Sequence, residues 1–122
     1  MAVFGAPLDD PATARHGVAA AREILAEIDR RGLADGAWPL KVGIGLHVTG
    51  NIGSPRRKEF TAIGDTVNLA SRLEQLTKEH GARLIVSDDV MTALGDTAGA
   101  AARLDAVTLK GYGVPVRAWR LE

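Results

Sequence analysis

Residues 56–76 read R-R-K-E-F-T-A-I-G-D-T-V-N-L-A-S-R-L-E-Q-L, and this stretch decides how the rest of the chain is interpreted. It begins with a basic triplet and continues into a short apolar run at 60–63, which predicts a strand. Gly64 then predicts a turn, and Asp65 suits the N-cap of a helix because its side-chain oxygen can accept a backbone N–H. The stretch therefore predicts a strand, a turn and a helix in succession.

The predicted helix carries an apolar stripe with two polar side chains beside it. The stripe recurs at spacings of four and three and consists of Leu69, Leu73 and Leu76. Asn68 and Arg72 are four positions apart, so their side chains project from the same side of the helix. An amide and a planar cation placed together could bind an anionic ligand such as a nucleotide. The alternative is a solvated arginine that forms an ion pair with Glu74 or Glu79.

Length and composition set the limits of this interpretation. The chain has 122 residues, enough for one domain with one core, and its 15 basic and 15 acidic side chains leave no net charge. A neutral chain has no general attraction to nucleic acid or to anionic lipid. The absence of cysteine excludes disulfides and thiolate metal sites, and it fits a reducing compartment. No apolar run approaches the ~20 residues that a membrane-spanning helix needs.

The first part of the chain predicts a strand end followed by a helix. Residues 1–6 are apolar and resemble the end of a strand, so the domain is expected to be N-terminally truncated. Asp10 and Pro11 suit an N-cap and a first helical position. Apolar residues then recur at helical spacing over 14–28, and Gly32 predicts the end of this helix.

Residues 40–48 predict a strand because apolar side chains alternate there with small or polar ones. Gly43 and Gly45 lie on one face of that strand, which predicts that another segment approaches its backbone closely. The glycines do not form a dinucleotide-binding fingerprint, because no helix follows them in the required position.

The last part of the chain predicts one further strand, a short helix and a hairpin. Residues 83–87 predict a buried strand, and 88–94 predict a short helix. Residues 104–109 and 114–121 predict two strands joined by a glycine-containing turn at 110–113. Because helices interleave with strands, the fold class is predicted to be α+β, an α/β sandwich with helices packed on a mixed sheet.

Five segments of this chain carry a resemblance to a known family. They are V-F-G-A-P at 3–7, V-G-I-G-L-H at 42–47, G-N-I-G-S-P-R-R at 50–57, I-G-D-T-V-N-L-A-S-R-L at 63–73 and L-K-G at 109–111. Together, and in this order, they resemble the catalytic domain of class III nucleotidyl cyclases over nearly the whole chain. The resemblance implies a ferredoxin-like βαββαβ core with a C-terminal hairpin, without its N-terminal strand, and a single domain at 1–122.

The resemblance also implies an activity and an assembly. Such domains form head-to-tail homodimers, or heterodimers with another cyclase domain, and build nucleotide sites from both chains. The implied reaction converts ATP to 3′,5′-cyclic AMP and pyrophosphate in intracellular signalling, and it uses two divalent cations, Mg²⁺ or Mn²⁺. The expected location is the cytoplasm, or the cytoplasmic side of a membrane-anchored parent.

Four residues take roles from the resemblance. Asn68 matches the asparagine that orients the ribose, and Arg72 matches the arginine that stabilises charge on the α-phosphate. Lys110 matches the lysine that holds the β- and γ-phosphates. Thr61 stands where the family reads the purine edge, and threonine there is similar to bacterial adenylyl enzymes, so ATP is expected rather than GTP.

The sequence departs from the family pattern in three places. The two metal-binding aspartates of the family, and the lysine that accompanies Thr61, match positions before Met1, so this chain alone is expected to lack the metal half and to be inactive. Only Val48 and Thr49 stand between His47 and G-N-I-G, so the hairpin there is shortened or residues are omitted. Tyr112 replaces a second lysine that many relatives carry.

Other functions remain open from the sequence. The first is a non-catalytic cyclase-like domain that dimerises with an active partner and regulates it. The second is a nucleic-acid binder that uses the basic triplet at 56–58, which the neutral net charge and the scarcity of aromatic residues disfavour. A metal site at His16 is disfavoured because no second ligand stands at suitable spacing, so this histidine is expected to be exposed.

Overall fold

The computed structural model of the chain describes residues 12–48, 56–104 and 117–121, with only the backbone described at 56–66 and at Thr97. The chain divides into two compact units, Met1–Val42 and Gly43–Glu122. Within the described residues the helices are α1 (Thr13–Arg30), α2 (Arg56–His80) and α3 (Asp88–Leu94), and α3 leads into a short 3₁₀ helix (Gly95–Ala98). The strands are β1 (Ile44–Leu46), β2 (Leu84–Ser87), β3 (Ala102–Arg103) and β4 (Ala118–Arg120). The predicted α+β class is confirmed.

Helix α1 is amphipathic and belongs to the first unit. Its buried residues are Gly17, Val18, Ala21, Leu25 and Ile28, which matches the predicted stripe except that Ala14 is only half-buried. The predicted stop at Gly32 is confirmed. Gly32 adopts a φ of +62°, its N–H donates to the carbonyl of Asp29, and the next N–H, of Leu33, donates to Ile28. This paired arrangement satisfies carbonyls that the end of the helix would otherwise leave open.

The second unit contains a four-stranded mixed sheet with the order β1-β2-β4-β3. Strands β1 and β2 are parallel, with Leu46 opposite Val86, and α2 provides the crossover between them. Strand β4 pairs antiparallel with both β2 and β3. The ladder between β3 and β4 continues to Leu104, whose N–H donates to the carbonyl of Ala118 over 3.0 Å. Strand β3 lies just before the predicted strand 104–109, of which only Leu104 is described; that residue pairs with β4, and the rest of the predicted hairpin up to residue 116 lies outside the described residues.

The predicted strand at 60–63, the turn at Gly64 and the N-cap at Asp65 are wrong. Helix α2 runs without interruption over Arg56–His80 and contains all of them. A four-residue apolar run does not distinguish a strand from a buried helix segment, and the lysine and glutamate before it and the alanine within it favour a helix. One interior glycine costs about 1 kcal/mol relative to alanine, which does not break a helix of this length. The predicted strand at 40–48 also proves shorter and covers only Ile44–Leu46.

The core of the second unit forms where α2 packs on the sheet. It consists of Leu69, Leu73, Leu76, Ala82, Ile85 and Ala118, with Leu104 packed against it. The leucine stripe predicted on the helix is thus the buried face of α2. Every residue of β2 is buried, which fits a central strand covered on both faces. Gly81 ends α2 as predicted, with a φ of +60°.

Candidate functional site

The two polar residues predicted to act together lie one turn apart on α2. Asn68 is exposed and Arg72 is half-buried, whereas their neighbours Leu69 and Leu73 are buried in the core. The pair therefore lies on the flank of the helix, beside the face that packs on the sheet. Within the described part of the chain, Arg72 forms no ion pair with Glu74 or Glu79. The alternative of a solvated helix ion pair is therefore not what the structure shows.

The side chains of the other two predicted site residues, Thr61 and Lys110, lie outside the described residues. Thr61 lies on α2, seven positions before Asn68, but its side chain is outside the described residues. Lys110 and Tyr112 lie outside the described residues altogether, as does the segment 49–55, so the predicted departure after His47 is not tested. The structure therefore does not test whether Thr61 or Lys110 converges with Asn68 and Arg72, and both assignments stay predictions.

Divalent cations have no cluster of donors among the described side chains. In those ranges no group of three or more histidine, aspartate or glutamate residues lies close enough to hold a metal ion. Asp88 and Asp89 occupy the first turn of α3 instead, where acidic side chains interact favourably with the helix N-terminus. The described residues therefore do not fit a two-cation site, and any such ions would need ligands from elsewhere.

A hydrogen-bonded network that the sequence did not indicate lies at the carboxyl ends of β1 and β2. The next positions after the Leu46–Val86 pair are His47 and Ser87, and the His47 Nδ1 lies 2.8 Å from the Ser87 Oγ. The same Oγ accepts the N–H of Val90 over 3.3 Å and so caps α3. S-D-D at 87–89 did predict the helix start, but His47 is 40 positions away and only the strand register reveals it as a partner.

A second side-chain bond ties β4 to the same place. The indole Nε1 of Trp119 donates to the Oδ1 of Asp88 over 2.9 Å, and the backbone N–H of Asp88 donates to the carbonyl of Arg117 over 3.0 Å. The first residue of α3 is therefore bound through both its backbone and its side chain. The network joins β1, β2, β4 and α3 at the end of the sheet where β1 and β2 have their carboxyl ends.

Burial lowers the pKa of His47 below its ordinary value, and the carboxylate of Asp89 opposes this shift in part. The hydrogen bonds agree with a neutral ring. Because the Ser87 Oγ already accepts from Val90, its own proton can be donated to the His47 Nδ1. A protonated ring would carry hydrogen on that nitrogen and would leave the serine proton without this acceptor.

Lowering the pH is therefore expected to destabilise the fold through His47. The unfolded chain binds a proton near pH 6.5, whereas the folded chain binds it only at lower pH. The stabilisation of the folded state by neutral His47 is fully present above pH 6.5. It is lost as the pH falls from there through the lowered pKa of the folded chain. Urea unfolding measured between pH 5 and 8 should show this slope in the parent chain and a smaller one in His47→Gln. His80→Gln, at an exposed position of α2, serves as the control for removal of a histidine. If the free energy of unfolding depends equally on pH in the parent chain and in His47→Gln, the pH dependence does not come from His47.

Comparison with known proteins identifies the family of this chain. A family model described as "Adenylate and Guanylate cyclase catalytic domain" matches residues 1–121. The chain belongs to this family. The cyclase domain is also 42% identical over 124 residues to the protein Rv1319c of Mycobacterium tuberculosis, covering 96% of this chain and 22% of that protein. It is 34% identical over 98 residues to "Adenylate cyclase 1" of Rhizobium meliloti, covering 75% of this chain and 15% of that protein. The alignments thus span 22% and 15% of the lengths of these two curated relatives.

A solved structure shows the same fold. The adenylyl cyclase CyaB from P. aeruginosa superposes with a TM-score of 0.57 at 19% identity, covering 96% of this cyclase domain and 63% of that chain. The superposition supports the cyclase fold for this chain. No helix among its described residues combines the length and the hydropathy needed to cross a bilayer.

Proposed function

We propose that this cyclase domain, residues 1–122, acts in an adenylate cyclase that converts ATP to 3′,5′-cyclic AMP and pyrophosphate. The observation that carries the proposal is the placement of Asn68 and Arg72 one turn apart on the flank of α2, with Arg72 outside any ion pair to Glu74 or Glu79 in the described chain. Membership of the family supports it. So do relatives named adenylate cyclase in Rhizobium meliloti and Anabaena cylindrica.

The chemistry explains why an arginine and an asparagine are needed. The ribose 3′-oxygen attacks the α-phosphorus, a new P–O bond forms, and the bond to the bridging oxygen breaks so that pyrophosphate leaves. The 3′-hydroxyl loses its proton, and negative charge spreads over the phosphate oxygens during the transfer. The guanidinium of Arg72 donates hydrogen bonds to the α-phosphate where this charge develops. The amide of Asn68 holds the ribose so that its 3′-oxygen faces the phosphorus.

The remaining contacts complete the substrate site. Lys110 holds the β- and γ-phosphates, and the hydroxyl of Thr61 reads the adenine edge. Two divalent cations, Mg²⁺ or Mn²⁺, when bound supply charge neutralisation and a more acidic 3′-hydroxyl. The described residues of this chain contain no cluster that fits them. In the proposed head-to-tail dimer, a second cyclase chain supplies their ligands. We place the reaction in the cytoplasm, where ATP is available.

A complementation assay tests this function. The 122-residue chain is mixed with a second cyclase chain that keeps its two metal-binding aspartates but has its own catalytic asparagine and arginine replaced by alanine. With ATP and Mg²⁺ or Mn²⁺, each chain alone should form no cyclic AMP, and the mixture should form it. Parallel reactions with GTP test the base preference that Thr61 predicts.

Each outcome of this assay has a distinct meaning. Cyclic AMP formation by the 122-residue chain alone would show that it contains a complete site. A mixture that associates, as measured by sedimentation, but forms no cyclic nucleotide would overturn the proposed catalysis. That result would favour the second candidate, a non-catalytic cyclase-like domain that dimerises with an active partner and regulates it.

A further inference from the structure

We propose that Gly45 is a positioning residue for the cyclisation, because the absence of a side chain there fixes the turn of α2 that carries Arg72. The inference rests on the proposed function for its catalytic consequence. Its structural part depends only on contacts between β1 and α2. Both elements lie in the second unit of the chain.

The contact at Gly45 is made with the backbone of the helix. A Cβ built on Gly45 would overlap the carbonyl oxygen of Ala70 and the amide nitrogen of Glu74, and would lie 2.9 Å from the carbonyl carbon of Leu73. The first two atoms are the acceptor and the donor of one helical hydrogen bond, since the N–H of residue i bonds the carbonyl of residue i−4. Gly45 therefore lies directly against the hydrogen-bonded turn from Ala70 to Glu74.

Arg72 is the central residue of that turn, and Asn68 lies two positions before the turn begins at Ala70. Any side chain at position 45 would press on backbone atoms, which cannot rotate away as a side chain can. The turn would have to move outward from the sheet or lose its hydrogen bond. Either change displaces the guanidinium relative to a substrate held by other residues. A displacement near 1 Å at a positioned group can lower a rate about 100-fold.

Gly43, immediately before β1, provides a matched comparison. A Cβ there would overlap the Oγ1 of Thr77 and would lie 3.0 Å from its Cβ, so the obstacle is a side chain. Thr77 lies five positions after Arg72, and its hydroxyl donates to the carbonyl of Glu74 over 2.5 Å. Replacing Thr77 with alanine removes the overlapping Oγ1 and leaves only the tight contact between the two Cβ atoms, which a shift of a few tenths of an ångström at position 77 relieves. The two glycines therefore predict different outcomes for the same substitution.

The test uses Gly45→Ala in the complementation assay and in hydrogen exchange. We expect kcat to fall about 100-fold while KM for ATP stays within about threefold, because Arg72 acts on the charge of the transition state. In the isolated chain, the amide of Glu74 should exchange at least about tenfold faster than in the parent, because its bond to Ala70 is the one that is strained. An unchanged kcat together with unchanged exchange at Glu74 would overturn the inference.

Two further variants separate positioning from loss of stability. Gly43→Ala combined with Thr77→Ala should leave kcat and the exchange of Glu74 within about threefold of the parent. Leu73→Ala removes a fully buried side chain but leaves the contact at Gly45 intact, so its kcat should also stay within about threefold. If Gly45→Ala does not fold in buffer, Gly45→Ala and Leu73→Ala are both measured in sucrose, which favours the folded state, and an unchanged kcat and exchange at Glu74 in Gly45→Ala there would still overturn the inference. A 100-fold loss of kcat in Leu73→Ala at unchanged KM would show that core packing positions Arg72.

The exchange measurement also distinguishes failure of this inference from failure of the proposed function. If the parent mixture forms no cyclic AMP, the proposed function fails and so does the catalytic role of Gly45. Faster exchange at Glu74 in Gly45→Ala would still establish the contact with α2. If the parent mixture is active and Gly45→Ala is equally active, only the positioning role fails.

Discussion

Replacing Arg72 with alanine is expected to lower kcat in the complementation assay by about 10²- to 10³-fold, the effect typical of removing one donor from a developing anionic centre. KM for ATP should change much less, because the interaction strengthens as charge develops during the transfer. Arg72 is half-buried on the flank of α2 and makes no ion pair with Glu74 or Glu79 in the described chain, so its removal should leave the fold intact. Circular dichroism and thermal melting of the variant check that expectation.

Two control substitutions make this result specific. Lys78→Ala removes an exposed cation from the same helix and should leave kcat within about twofold of the parent. Arg72→Lys keeps the charge but loses the planar fork, so it should recover only part of the activity. An Arg72→Ala mixture that retains the parent kcat would refute the assigned role of this arginine. Loss of activity in Lys78→Ala would instead indicate a general effect of charge on the helix.

Replacing Leu73 with alanine is expected to lower the free energy of unfolding by about 3–4 kcal/mol, as large-to-small changes at fully buried leucines do. Leu73 has 0% of its surface exposed and lies in the cluster between α2 and the sheet. The loss has two parts, the transfer free energy of the deleted carbons and the cavity that the fixed helix backbone cannot close. Urea unfolding followed by far-UV circular dichroism measures it.

Leu40→Ala is the matched control for this change. Leu40 is 46% exposed, so the same deletion there should cost under about 1 kcal/mol. A Leu73→Ala variant as stable as Leu40→Ala would show that the packing between α2 and the sheet is not what stabilises the second unit. A lower slope of unfolding against urea would indicate a change in the denatured state and would require calorimetry to resolve.

Local signals in the sequence predicted where most elements end and which faces are buried. Gly32 and Gly81 stop helices because each adopts a positive φ that glycine accepts without strain. Ser87 caps α3 with its own oxygen, and the leucines of α2 form the buried stripe that their spacing requires. These features depend on residues within a few positions of one another, so the sequence contains them directly.

The errors and omissions involve competition between neighbours or contacts between distant segments. The run at 60–63 has the composition of a short strand, but the helix-forming residues before it and the buried leucine stripe after it place it within α2. At the site, spacing alone placed Asn68 and Arg72 together because one helix carries both. The bond between His47 and Ser87 depends on the register of two parallel strands, which no local pattern encodes.

The position of β2 at the centre of the sheet has a consequence for synthesis on the ribosome. Its parallel neighbour β1 is made first, but β4 begins at Ala118, 31 positions after Ser87 (118 − 87). A nascent chain that has released β2 therefore leaves one edge of this buried strand without its pairing partner until β4 emerges. Ribosome-bound chains that have released β2 but not β4 should recruit chaperones that bind hydrophobic segments, and emergence of β4 should release them.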